Sequence, residues 1–134
     1  MTKRTILIVD DEPHVIRVLR LMLARDGYNI LSANDGNEAL DKLAGIRPDV
    51  MVSDIQMAGM NGRDLCRTAR ERYPDEPFLI LVMTSMTAAE ERTWVRSLPN
   101  VEFLEKPLSP RQLVARLAVH FNACDSGPET QHAS

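Results

Sequence analysis

At 134 residues, with 44% apolar and 26% charged side chains, the chain has the size and composition of one soluble globular domain with a real core. Its formal charge of -3 supplies no basic field for nucleic acid or an anionic membrane surface. No apolar run approaches the ~20 residues that span a bilayer, and Met1-Thr2-Lys3-Arg4 does not read as a signal peptide. The two cysteines, Cys66 and Cys124, have neither metal-ligand nor disulfide spacing, so filler roles in a reduced, cytoplasmic setting are expected.

Thr5 to Val9 is a continuous apolar run, the mark of a strand buried on both faces of a parallel sheet. It ends in Asp10-Asp11-Glu12-Pro13, where a proline at the first helical position and acids near the helix dipole predict a helix start. Val15, Val18, Leu19, Met22 and Leu23 then form a helical stripe that Gly27 stops. Tyr28 to Ala33 reads as a second strand. Asn34-Asp35-Gly36 is turn chemistry, and Ala39, Leu40 and Leu43 mark a short helix ended by Gly45.

After Pro48, Asp49 to Ser53 forms a third strand with Asp54 at its end. Asn61 is the predicted cap of a helix running to about Arg72, with Leu65 and Ala69 inward and Arg67, Arg70 and Arg72 on a solvated face. Phe78 to Met83 is the most apolar strand and ends at Thr84-Ser85. Thr87, three residues before Glu90, has the spacing of a capping box for a fourth helix that stops before Pro99. The lone Trp94 is expected to pack in the core, with a partner anchor as the other reading. Val101 to Leu104 is a fifth strand, followed by Glu105-Lys106-Pro107. Ser109-Pro110 opens a last helix with Leu113, Val114, Leu117, Ala118 and Phe121 on one face. From residue 123 the composition turns small and polar, and a disordered tail over 123–134 is expected behind a domain at 1–122.

Five strands alternating with five helices predict a doubly wound α/β sandwich, (βα)5, with a parallel five-stranded sheet. The order 2-1-3-4-5 puts the switch point between the carboxyl ends of strands 1 and 3, where ligands bind in such sheets. Those ends carry Asp10, Asp11 and Asp54; the neighbouring strands end in Thr84 and Lys106. Three crowded carboxylates repel unless a proton or cation joins them, and an all-oxygen set favours Mg²⁺ over zinc or copper. With Lys106 as a point charge and Thr84 as a hydroxyl donor, the rim has the electrostatics of phosphoryl transfer. Asp54, alone at a strand end before an open loop, is the natural nucleophile, giving an acyl phosphate. Taken singly, each of these residues reads as a helix start, an Asx turn or a strand end; their convergence on one rim is what carries chemistry. His14, His120 and His132 share no ligand spacing.

The motifs Ile6-Leu7-Ile8-Val9-Asp10-Asp11-Glu12, Asp54-Ile55-Gln56-Met57 with Gly62, Met83-Thr84-Ser85 and Lys106-Pro107 together resemble the receiver domain of bacterial two-component response regulators, across roughly residues 4 to 122. The resemblance implies that Asp54 is the phosphoacceptor. It implies that Asp11, Asp54 and the backbone carbonyl of Gln56 hold Mg²⁺, with Asp10 supporting the ion through water. Lys106 would pair with the phosphoryl group, and its bond to Pro107 is expected to be cis. Thr84 and Phe103 would form the switch that remodels the face of helix 4, strand 5 and helix 5. The implied partners are a histidine kinase or phosphotransfer protein and a downstream protein target, or an effector domain in a longer chain. A phosphorylation-dependent homodimer is compatible with this. Neither nucleic acid nor membrane is expected as a partner.

The sequence also departs from the family pattern. Ala58 replaces the usual proline, Ser85 stands at a position usually held by alanine or glycine, and Ser97-Leu98-Pro99-Asn100 replaces the usual Gly-Ala pair. Gln56 and Met86 occupy positions that tune phosphoryl lifetime. The rival functions are a phosphorylation-independent pseudo-receiver and a Mg²⁺-dependent aspartyl phosphohydrolase. The second needs another acid to protonate its leaving group, and Gln56 stands where that acid would be.

Overall fold

The computed structural model describes residues 4–57, 59–76, 78–84, 89–105 and 109–133. Five strands, β1 (Thr5–Val9), β2 (Asn29–Ala33), β3 (Val50–Asp54), β4 (Leu79–Thr84) and β5 (Val101–Glu105), alternate with α1 (Pro13–Arg25), α2 (Gly36–Gly45), α3 (Gly62–Arg72), α4 (Ala89–Arg96) and α5 (Pro110–Ala133). All strand pairs are parallel, and the order is β2-β1-β3-β4-β5, the doubly wound topology that the alternation predicts.

Each strand sends alternate residues to opposite faces, and the sheet therefore has two cores. Leu7, Val9, Met51, Ile80 and Val82 pack against α2, α3 and α4; Trp94 is buried there as a core residue. Ile6, Ile8, Val50, Val52, Leu79 and Leu81 pack against α1 and α5 through Leu19, Leu23, Leu113 and Leu117. At about 1.5–3 kcal/mol for each fully buried aliphatic side chain, this two-sided burial is the main reason β1, β3 and β4 stand as rigid supports.

Local chemistry sets the helix ends. α1 stops in a Schellman turn: the Tyr28 amide bonds the Leu23 carbonyl at 3.3 Å, with Gly27 at φ +88°. Asp35 and Asn61 cap α2 and α3 through the amides of Glu38 (2.8 Å) and Asp64 (2.9 Å). Ser109 and Gln112 form a reciprocal capping box at α5, since the Ser109 hydroxyl accepts from the Arg111 amide and the Gln112 carbonyl from the Ser109 amide. The cap expected at Thr87 lies outside the described residues. The open edge of β2 is blunted by Lys42, whose ammonium donates to the Ser32 carbonyl.

Two expectations need correction. The buried stripe of α1 is Ile16, Leu19 and Leu23, with Val18 46% exposed. Apolar residues surround most of that helix, so periodicity alone could not fix its rotation. α5 runs from Pro110 to Ala133, and among the described residues the stripe that docks it on the sheet is Leu113, Leu117 and Phe121.

Arg70 is the second. It is buried, not on a solvated face, and its guanidinium donates to four backbone carbonyls: Pro99 (2.8 Å), Glu76 (3.3 Å), Phe78 (2.6 Å) and Asn100 (2.9 Å). It also lies over the Phe78 ring at 4.8 Å. The inward positions of α3 recur at Gly62, Leu65, Cys66, Ala69 and Arg70, so the helical period itself includes the arginine.

Two outcomes follow from α3. Arg70→Ala strands several inward carbonyls at once and should cost about 3 kcal/mol, read from urea or thermal unfolding. Cys66 is fully buried beneath the same helix, and burial pushes its thiol up to about 12. Native protein should therefore leave Cys66 unlabelled by a thiol-disulfide reagent at pH 8 and label it fully once unfolded.

Candidate functional site

The carboxyl ends of β1 and β3 lie side by side, with Val9 opposite Ser53. One residue further on, each chain supplies an acid. Carboxylate oxygens of Asp10, Asp11 and Asp54 lie within 4.8 Å of one another. Asp10 is 1% exposed and Asp54 4%, whereas Asp11 is exposed. Two buried anions and a third at the surface repel strongly in a partly desolvated site. The donor set is all oxygen and its outer side is open, which fits a hard divalent cation and not a thiophilic one.

The backbone holds this crowding in place. The Asp10 amide donates to the Ala33 carbonyl of β2 at 3.1 Å, continuing the ladder beyond β1. Its Oδ1 accepts from the Glu12 amide at 2.9 Å, so Asp10 starts α1 and joins the cluster together. Asp54 is fixed from three sides. The Ser53 hydroxyl donates to its carbonyl at 2.9 Å, the Gln56 amide donates to its Oδ1 at 3.3 Å, and the next amide, Ile55, donates to Met83 of β4 at 3.0 Å.

Gly62 completes the support. Its amide bonds the Ile55 carbonyl at 2.9 Å, and a Cβ there would meet the Asp54 carbonyl oxygen at 2.5 Å and Ile55 Cα at 2.7 Å. Only glycine lets α3 start against the strand that carries Asp54. The clash partners are backbone atoms and cannot swing aside.

Thr84 is fully buried at the end of β4, opposite Glu105 of β5. Phe103 pairs with Val82, so Thr84 and Phe103 are diagonal neighbours on one sheet face. Phe103 is half-buried against the core that also holds Trp94. Gln56 sits exposed at the lip beside Asp54. Asp10, Asp11, Asp54, Gln56 and Thr84 thus share the carboxyl rim of three strands; Lys106, Pro107, Ser85, Met86 and Ala58 lie outside the described residues. Two histidines lie outside the cluster: His14 is 3.4 Å from Glu12, and His120 packs on Phe121 near the other end of the sheet. Burial, with Arg116 and Arg4 outweighing Glu102 and Asp49, holds His120 below its ordinary value. Sequence reading named Gly62 without its reason, because only the assembled fold brings the Asp54 carbonyl against it.

A doubly wound sheet with an acid cluster at its switch point defines a flavodoxin-like α/β domain built to manage charge at that rim. Residues 6–118 match the response regulator receiver domain, and the chain belongs to that family, the receiver domain of two-component signalling. It is similar to the chemotaxis protein CheY4 of Vibrio cholerae, at 29% identity over 87% of this chain and 98% of that one, with a TM-score of 0.81. It is also similar to a response regulator receiver protein from Pseudomonas putida (30% identity, 88% and 98% covered, TM-score 0.78). A putative response regulator from Chloroflexus aurantiacus matches at 31% identity over 87% and 95%, with a TM-score of 0.77. No helix among the described residues is long and apolar enough to cross a membrane.

The Gly62 contact gives a sharp comparison. Gly62→Ala should cost about 2–3 kcal/mol through overpacking, whereas Gly45→Ala, where a Cβ meets nothing within 4 Å, should leave the melting temperature unchanged or raised. Thermal unfolding of the two variants checks this.

Proposed function

We propose that Asp54 accepts a phosphoryl group from a phosphohistidine on a histidine kinase or phosphotransfer protein. The observation that carries the reading is the gathering of the Asp10, Asp11 and Asp54 oxygens within 4.8 Å at the strand ends. An Asp54 carboxylate oxygen attacks phosphorus, the P–N bond to the donor imidazole breaks, and the electron pair stays with the ring nitrogen, leaving an acyl phosphate. Asp11, Asp54 and the backbone carbonyl of Gln56 would hold Mg²⁺, with Asp10 supporting it through water. Bound there, the ion would supply positive charge against the phosphoryl oxygens, so that an anionic nucleophile could meet an anionic donor.

The remaining residues act on the product. Lys106 pairs with the phosphoryl oxygens as a point charge. The Thr84 hydroxyl donates to one of them, and Phe103, diagonal to it, turns inward as Thr84 shifts. The face of α4, β5 and α5 is thereby repacked for a protein target or a linked effector domain. We place the receiver body at 1–122, since the docked stripe of α5 ends at Phe121, and the protein in the reducing cytoplasm, where a free, buried Cys66 is at home. Gln56, in the position where a phosphohydrolase needs its second acid, favours a switch over turnover of small phosphomonoesters.

Incubation with acetyl phosphate and Mg²⁺, followed by intact-mass measurement, should give one base-labile phosphoryl adduct that requires the metal. Asp54→Asn should abolish it. An adduct that persists in Asp54→Asn overturns the nucleophile assignment, and a wild type that takes up nothing supports the pseudo-receiver instead.

A further inference from the structure

α3 is fastened at both ends to parts of the molecule with different duties. Its first residue, Gly62, packs directly on the Asp54 carbonyl and bonds Ile55. About 12 Å further along the axis, at 1.5 Å per residue, Arg70 grips the carbonyls of Glu76 and Phe78 at the entrance to β4 and those of Pro99 and Asn100 at the entrance to β5. The last two belong to the turn on which α4 ends. That turn is tightly made: the Ser97 hydroxyl donates to the Trp94 carbonyl at 2.6 Å, and Asn100 adopts φ +55°, a left-handed conformation asparagine tolerates. The Asn100 carbonyl accepts from the Ile80 amide of β4 as well as from Arg70.

We infer that Arg70 is a positioning residue for the output switch: through its four carbonyl bonds, α3 holds the α4–β5 turn in register with the Asp54 loop. This rests on the reading of Asp54 as phosphoacceptor. Repacking of Trp94, Phe103 and α4 pivots on residues 97–100, because β4 is buried and paired on both sides along its length, whereas β5 is a half-buried edge strand paired to β4 alone. A forked guanidinium that bonds both strand entrances keeps that pivot fixed relative to α3. An ammonium in its place retains the charge but cannot span the same four acceptors. Arg70 is far from the carboxylate rim, so its loss leaves the phosphoryl chemistry intact and removes the distant response.

The test compares wild type with Arg70→Lys, both treated with acetyl phosphate and Mg²⁺. Adduct formation is read by intact mass, and amide hydrogen exchange over residues 94–104 is read by peptide mass. The expected result is equal phosphorylation of the two proteins. Exchange in this segment should respond to phosphorylation in wild type, and the response should shrink about fivefold or more in Arg70→Lys. An unchanged exchange response in Arg70→Lys overturns the inference while leaving Asp54 as acceptor. A wild type that takes up no phosphoryl group overturns the underlying reading and this one with it. Should Arg70→Lys fail to fold, the ¹⁵N resonance of Arg70 Nε in wild type decides: a shift on phosphorylation supports the coupling, and an unmoved resonance overturns it.

Discussion

Repulsion among Asp10, Asp11 and Asp54 is the constraint on which the rest of the structure depends. Three carboxylates would not gather in solution, and two of these are almost wholly removed from water. They stay together because each is the next residue along a strand or its continuation, and the strands are held by two cores and continuous parallel ladders. Folding energy from apolar burial, about 25 cal/mol per Å², is thus stored as electrostatic tension at one rim. A cation or a transferred phosphoryl group finds a site arranged in advance, with little reorganisation left to do.

The supports below the rim have the same logic. Asp10 and Asp54 each use their backbone or one carboxylate oxygen for local hydrogen bonds, through Glu12, Ser53 and Gln56. Their side chains are thereby oriented toward the cluster. Gly62 brings a helix end to the Asp54 carbonyl at a separation no other residue permits. These contacts put most of the precision in the backbone, which explains why a short loop can follow Asp54 without loosening it.

Much of this was legible before any coordinates. The apolar runs fixed β1, β3 and β4 because strands buried on both faces leave few alternatives, and the acids at their ends followed. Asn61 and Ser109 were legible because capping is a local hydrogen bond between residues three or fewer apart. What stayed hidden was long-range. Val18 and Ile16 compete for the inside of α1, and only packing against β1 and α5 chooses between them. Arg70 looked like one member of a charged cluster, although it falls on the inward period of α3. Its acceptors lie 6 to 30 residues away in sequence, and backbone carbonyls carry no mark in a sequence.

The double core also limits how any change at the rim can leave it. β1, β3 and β4 are close-packed on both faces, and close-packed interiors do not deform smoothly. A new charge on Asp54 therefore cannot be absorbed by bending its strand. Nor does its field reach far in a useful way, since water and salt screen it within about 10 Å at the surface. What remains movable are side chains at the rim, such as Thr84 and Phe103, and whole helices pivoting on their end turns. Of the helices, α3 is fastened at both ends while α4 ends on a turn gripped by another helix. On the proposed reading of Asp54, displacement would fall on α4 and β5, which meet at the turn that Arg70 grips and lie at an edge of the sheet.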